Sequence, residues 1–161
     1  MPSLRFNLSE YFPDTPAIKD PVVLLHSCCK SHCKIVPPSY WRKIASEVSS
    51  FGYKPVFTGN GDDEAEFIRK IDPDNRYEHA GNRYSLWELA KLMNHSKLLV
   101  TVDTGIMHLA KYTGIEILAL CGGSNPERIG PSEFFRDEGE ADETGVINKY
   151  TNNTNWGGDL L

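Results

Sequence analysis

No stretch of the 161-residue chain approaches the roughly 18 consecutive apolar residues that a membrane-spanning helix requires. Residues 1–10 also lack the basic-then-apolar layout of a secretory leader. The expectation is a cytoplasmic protein with no transmembrane segment. Cysteine is scarce: Cys28, Cys29, Cys33 and Cys121 are the whole set, and three of them crowd into one short loop. That excludes a small disulfide scaffold. His32 lies among them, but no second paired ligand group completes a zinc site, so no metal is expected and reduced, partly buried thiols are the simpler reading. Basic side chains are in deficit, 17 Lys and Arg against 22 Asp and Glu, for a net charge of −5. This argues against a nucleic-acid or anionic-membrane binder, which needs clustered positive charge, but leaves room for a small basic pocket that holds a phosphate. Internal repeats and low-complexity runs are absent.

What is present is ordinary for one folded domain: 40% hydrophobic and 24% charged residues. Residues 1–20 are Pro-dotted and read as an irregular lead-in. Pro21 to His26 is a short continuous apolar run, the mark of a buried strand. Pro38-Ser39 opens a helical pattern carrying Trp41, Ile44, Ala45 and Val48, with Gly52 at its end. Pro55 to Thr58 is a second strand, followed by a helix from Asp62 to about Ile71. A short strand near Tyr77 to His79 comes next. Ser85, with Glu88 three residues on, makes a capping box for a helix whose expected buried stripe is Leu86, Leu89, Ala90 and Met93. Lys97 to Val102 is the clearest strand. Asp103-Thr104-Gly105 turns into a helix that Gly114 closes, and Ile115 to Leu120 is a further strand. Strands alternating with helices predict an α/β fold, a Rossmann-like parallel sheet with helices on both faces, over residues 21–131. Residues 132–161 are acidic and then polar and glycine-rich, and are expected to lie loosely or to wrap the surface.

Parallel sheets bind ligands beyond the carboxyl ends of their strands, which selects a few loops. In the sharpest, Asp103 ends a strand, and Thr104 and Gly105 present backbone N–H groups at a helix start, an arrangement suited to a diphosphate. His108 follows one turn later. A plain helix start with a satisfied histidine is the competing reading. The loop after the first strand holds Cys28, Cys29, Lys30 and Lys34, and either lysine would serve as a point charge for phosphate. A cysteine nucleophile near these lysines is a weaker alternative, because no His/Asn partner pattern accompanies it. Gly59 and Asp63 lie in the loop and helix start after the second strand, where a carboxylate would hold ribose hydroxyls or simply suit a helix N-terminus. Tyr84 lies against a base or covers the core. The glycine-rich run 121–131 lines a cleft or ends the domain.

Taken together these pieces resemble glycosyltransferase family 9, the ADP-heptose:lipopolysaccharide heptosyltransferases. The likeness rests on Leu98 to Leu120, on Val22 to His26, on Lys34 with Pro37 and Trp41, and on Phe57-Thr58-Gly59. Ala80-Gly81 before Ser85-Leu86, and Cys121 to Pro126 with Gly130-Pro131, complete it. It implies one half, the C-terminal donor-binding domain, of a two-domain GT-B transferase. By this resemblance Asp103, Thr104, Gly105 and His108 surround the diphosphate and sugar of an ADP-sugar-like donor. Lys34 matches the family's first-loop lysine, Tyr84 lies near the base, and an acidic residue of 62–64 faces the ribose. Cys28 and Cys29 fall where the family carries hydroxyl residues. The family's acceptor-binding N-terminal domain, which supplies a catalytic carboxylate, has no counterpart in this sequence. The resemblance therefore implies a donor half-site completed by an acceptor domain, a partner chain or a homo-oligomer, with no cofactor beyond the donor. Two other readings stand beside it: a non-catalytic nucleotide or nucleotide-sugar binding module, and a scaffold that kept the fold without the pocket.

Overall fold

The computed structural model describes residues 21–30 and 35–120, together with the backbone of 135–138 and 147–151. Its core is a parallel sheet of β1 (Val22–His26), β2 (Lys54–Phe57), β3 (Glu78–His79), β4 (Leu98–Val102) and β5 (Glu116–Leu120). The connections carry α1 (Pro38–Ser50), α2 (Asp62–Ile71), α3 (Leu86–Asn94) and α4 (Gly105–Ala110). Two further strands, β6 (Phe135–Glu138) and β7 (Ile147–Thr151), pair antiparallel, with β7 against β5. The sheet order is β3-β2-β1-β4-β5-β7-β6. Parts of the segment expected to lie loosely thus extend the sheet. Among the described residues no helix is long and apolar enough to cross a membrane.

Side-chain alternation along the strands decides which layer each residue enters. Val22 and Leu24 join Leu99, Met93 and Met107 on the α3/α4 face. Val23 and Leu25 join Val100, Trp41 and Ile71 on the α1/α2 face. A strand buried on both faces has no polar position to spare, which is why β1 reads as an unbroken apolar run.

The element ends follow their local chemistry. Pro38 opens α1 at the position where its missing N–H is not needed, and Gly52 follows the helix at φ +80, a left-handed conformation glycine adopts freely. Both arms of the Ser85/Glu88 capping box form, and accepting from the Ser85 backbone N–H and hydroxyl holds the Glu88 carboxyl below its ordinary range. One expectation fails. Leu86, the first residue of α3, is 66% exposed at the cleft, while Leu89, Ala90 and Met93 are buried.

Candidate functional site

Two connections leave β1 and β4 in opposite directions across the sheet, β1 toward β2 and β4 toward β5. Such a reversal opens a crevice at the strand ends. The chain has a cleft of about 200 Å³ there. Its floor is His26 from the end of β1 and Thr58 from the end of β2, and Gly59 and Asn60 continue one wall. Tyr84, Ser85 and Leu86 form the opposite lip, with Leu89 and Ile106 from α3 and α4 behind them.

The floor follows from strand parity and register. His26 continues the Val22–Leu24 face, and Thr58 continues the face of Val56. The parallel ladder pairs Leu25 with Phe57, and the Thr58 N–H donates to the Leu25 carbonyl at 3.0 Å. His26 and Thr58 therefore fall side by side just beyond the core, where His26 Nδ1 lies 3.0 Å from Thr58 Oγ1. His26 is 6% exposed. Burial pushes its ring down to about pKa 4 despite an opposing hydrogen bond to the Thr58 backbone, so the imidazole is neutral at physiological pH.

The wall is stitched by Asn82. Its N–H donates to the Gly59 carbonyl at 3.1 Å, and its side-chain oxygen accepts the Gly61 N–H at 2.6 Å. Asn82 sits at φ 57, a conformation asparagine tolerates better than most residues. Gly59 is closely packed: a Cβ there would come within 3.1 Å of Ile68 Cδ1 and 3.2 Å of the Glu64 carboxylate, so those side chains would have to give way. That carboxylate accepts the Asn60 N–H at 2.7 Å.

The turn from β4 to α4 lies beside the cleft and reaches it through Ile106. Asp103 is buried and Thr104 half-buried, while Gly105 and His108 are exposed. Thr104 is the N-cap residue of α4, but its side chain makes no capping bond. Its hydroxyl oxygen is buried without a hydrogen-bond partner among the described residues. A Cβ on Gly105 would meet nothing within 4 Å.

Of the residues singled out in the sequence, Tyr84 and Gly59 line the cleft, and Asp103, Thr104 and Gly105 form the adjoining turn. Asp63 is exposed on the first turn of α2 and is not part of the cleft lining, and Lys30 is exposed. Lys34 lies outside the described residues, as do Cys33, His32 and the 121–131 loop. Cys28 is buried in the α1/α2 layer, its thiol donating to the Glu64 carbonyl at 3.7 Å, and Cys29 packs against the same layer. Burial, reinforced by the nearby Glu64 and Cys29, pushes the Cys28 thiol up to about 11. A protonated, buried thiol is no nucleophile, so the cysteine alternative does not hold for Cys28. Among the described residues no group of three His, Cys, Asp or Glu side chains is placed to hold a metal ion.

The sequence reading passed over His26, Thr58, Asn82 and Ile106 as site residues. Parity was the available signal for the first two: a histidine and a threonine each continue an apolar face one step past a strand's end.

The model of glycosyltransferase family 9 (heptosyltransferase) matches residues 2–134. The chain belongs to that family. It is similar to lipopolysaccharide heptosyltransferase 1 of Salmonella typhimurium, with 28% identity over 115 residues, 71% of this chain and 36% of that protein. Among solved structures it resembles a family 9 glycosyltransferase from Veillonella parvula, at 27% identity and a TM-score of 0.62, covering 74% of this chain and 34% of that one. The fold also matches the Escherichia coli heptosyltransferase WaaC solved with ADP, at 20% identity and a TM-score of 0.68, over 76% of this chain and 38% of the other. The family 9 fold present here is a Rossmann-like α/β unit of the kind that makes up one half of a GT-B transferase. The chain spans about a third of the length of these relatives.

Proposed function

We propose that this family 9 chain is a donor half-site that binds a nucleoside-diphosphate sugar of the ADP-heptose type. The observation that carries the reading is the Thr104 hydroxyl, buried and unpartnered at the start of α4 beside a cleft at the switch point. A buried hydroxyl without a partner is costly, and a ligand oxygen would satisfy it. The open space beside Gly105 supports the same placement, since nothing in the protein's packing asks for glycine there. The diphosphate would lie across the Thr104–Gly105 turn, with the nucleoside in the cleft against Tyr84. Asp103 and His108 would contact the diphosphate and sugar, and the first-loop lysines Lys30 and Lys34 would flank them. Membership of a heptosyltransferase family, and the ADP held by a protein of the same fold, favour an adenine nucleotide.

Glycosyl transfer would proceed by displacement at the anomeric carbon. An acceptor hydroxyl forms the new C–O bond as the bond to the diphosphate breaks, and the nucleoside diphosphate departs with that electron pair. Backbone N–H groups and lysine charge would stabilise the leaving group. The acceptor's proton needs a base. In the cleft the His26 ring, held near pKa 4, is too weak for that task, and Asp103 and His108 are assigned here to gripping the donor. The base would come from an acceptor-binding domain, a partner chain or a second copy. The same observation favours the alternative of a binding module without turnover.

Calorimetric titration with ADP, UDP, GDP and their sugars tests the proposal. Saturable binding of one nucleotide, lost in an Asp103→Ala/His108→Ala double variant, is the expected result. A folded chain that binds none of them overturns it.

A further inference from the structure

The floor of the cleft differs from an anion site. His26 is neutral and Thr58 uncharged, and Ala80, Leu89 and Ile106 around them are apolar. A phosphate placed there would lose its hydration with no positive charge in return. A flat heterocycle would bury its faces against apolar walls and keep one edge for a hydrogen bond. The floor offers one such atom. Nδ1 lies 3.0 Å from the Thr58 hydroxyl oxygen, and the ring also meets the Thr58 backbone in a hydrogen bond that favours ring protonation. With the proton on Nδ1, Nε2 carries a lone pair and accepts. His26 lines the cleft, and among the described residues its ring hydrogen bonds are to Thr58.

We infer that His26, held by Thr58, is the specificity-determining residue for the nucleobase, and that its Nε2 accepts a hydrogen bond from an exocyclic amino group of the donor's base. The inference deepens the donor half-site reading and rests on it. An amino-bearing base satisfies the lone pair. A base with a carbonyl at the same position sets acceptor against acceptor and leaves both desolvated. Sites built around one buried hydrogen bond reject the ligand that cannot make it, because the protein group is then left unpaired.

The test compares ADP with inosine diphosphate, which carries a carbonyl in place of the amino group, and with inorganic pyrophosphate. Wild-type protein should prefer ADP over inosine diphosphate by about tenfold or more. His26→Leu should bring the two within about twofold while leaving pyrophosphate affinity unchanged. His26→Gln, whose amide presents either an oxygen or an N–H, should bind both nucleotides. In wild-type protein the ¹⁵N resonance of His26 Nε2 should move on adding ADP and stay in place on adding pyrophosphate, a readout that requires no variant to fold. An unchanged preference in folded His26→Leu, an equal loss of pyrophosphate affinity, or an Nε2 resonance indifferent to ADP overturns this inference alone. Wild-type protein that binds neither nucleotide nor pyrophosphate overturns the half-site reading with it.

Discussion

The side-chain oxygen of Asn82 accepts the Gly61 N–H at 2.6 Å, tying the segment before α3 to the loop that follows β2. One wall of the cleft carries Gly59 and Asn60, and the opposite lip carries Tyr84 and Ser85. This bond and the Asn82 N–H to Gly59 carbonyl bond beside it link the two sides of the cleft.

Asn82→Gly keeps the left-handed backbone and removes only the side-chain bond. It is expected to lower stability by about 1 kcal/mol in urea denaturation and to weaken nucleotide binding by more than that loss alone implies. Asn82→Val adds backbone strain at φ 57 and should be worse on both counts. Equal affinity in wild type and Asn82→Gly would show that the tie does not shape the cleft.

Gly105 separates packing from binding. Alanine there meets no protein atom and sits on the first residue of a helix, so Gly105→Ala should leave thermal stability unchanged or raise it by up to about 1 kcal/mol. Its methyl group would stand where the proposed diphosphate would lie, and calorimetry should show weakened nucleotide binding. A variant that is stabilised and binds as wild type does would remove Gly105 from the site.

His26 should make the fold acid-sensitive. Its folded pKa of about 4 lies below the ordinary value of 6.5, so the unfolded chain takes up the proton first as pH falls. The contribution is absent above pH 6.5. Stability then declines through the window from 6.5 to 4, by on the order of 3 kcal/mol, and levels off below it. Asp72 acts in a different window. Burial pushes its carboxyl up, but the N–H groups of Tyr77 and Arg76 and the His79 ring outweigh this and hold it below the ordinary range. Its stabilisation is present above the unfolded carboxyl pKa and is lost at still lower pH. Urea midpoints at successive pH values should show the upper step vanish in His26→Leu while the lower one persists.

Cys28 and Cys29 should react differently with iodoacetamide. At pH 8 the buried Cys28, with its thiol near pKa 11, should stay unmodified while half-buried Cys29 is alkylated, and urea should equalise them. Peptide mass spectrometry reads both sites. Rapid labelling of Cys28 in folded protein would contradict its place under α2.

Leu86 and Leu89 sit three residues apart on α3 with opposite burial. Leu89→Ala should lower stability by about 2–5 kcal/mol. Leu86→Ala should change it by less than about 0.5 kcal/mol in the same denaturation assay. Leu86 shares the helical period of the buried stripe but, as the first residue of α3, lies at the lip of the cleft instead of in the core.

The order of strands and helices was legible because each depends on neighbours in sequence. Apolar runs, the Ser85/Glu88 capping box and the Gly52 and Gly114 helix endings act within a few residues. The turn 103–105 was legible for the same reason: a buried strand running straight into a helix fixes where its N–H groups point. Other features required partners far along the chain. Thr58 meets His26 across 32 residues only because β1 and β2 pair in one register, and Gly61 meets Asn82 across 21 only because β3 docks beside β2. Whether Cys28 faced a ligand or the core was decided by where α2 packs. The sequence by itself determined the elements, their alternation and where the loops leave the strand ends. Tertiary structure alone decided which loops share a cleft and which side chains become its floor. Burial and hydrogen bonding there depend on strand register and helix docking, and those are set by the whole apolar core at once rather than by any local run of residues.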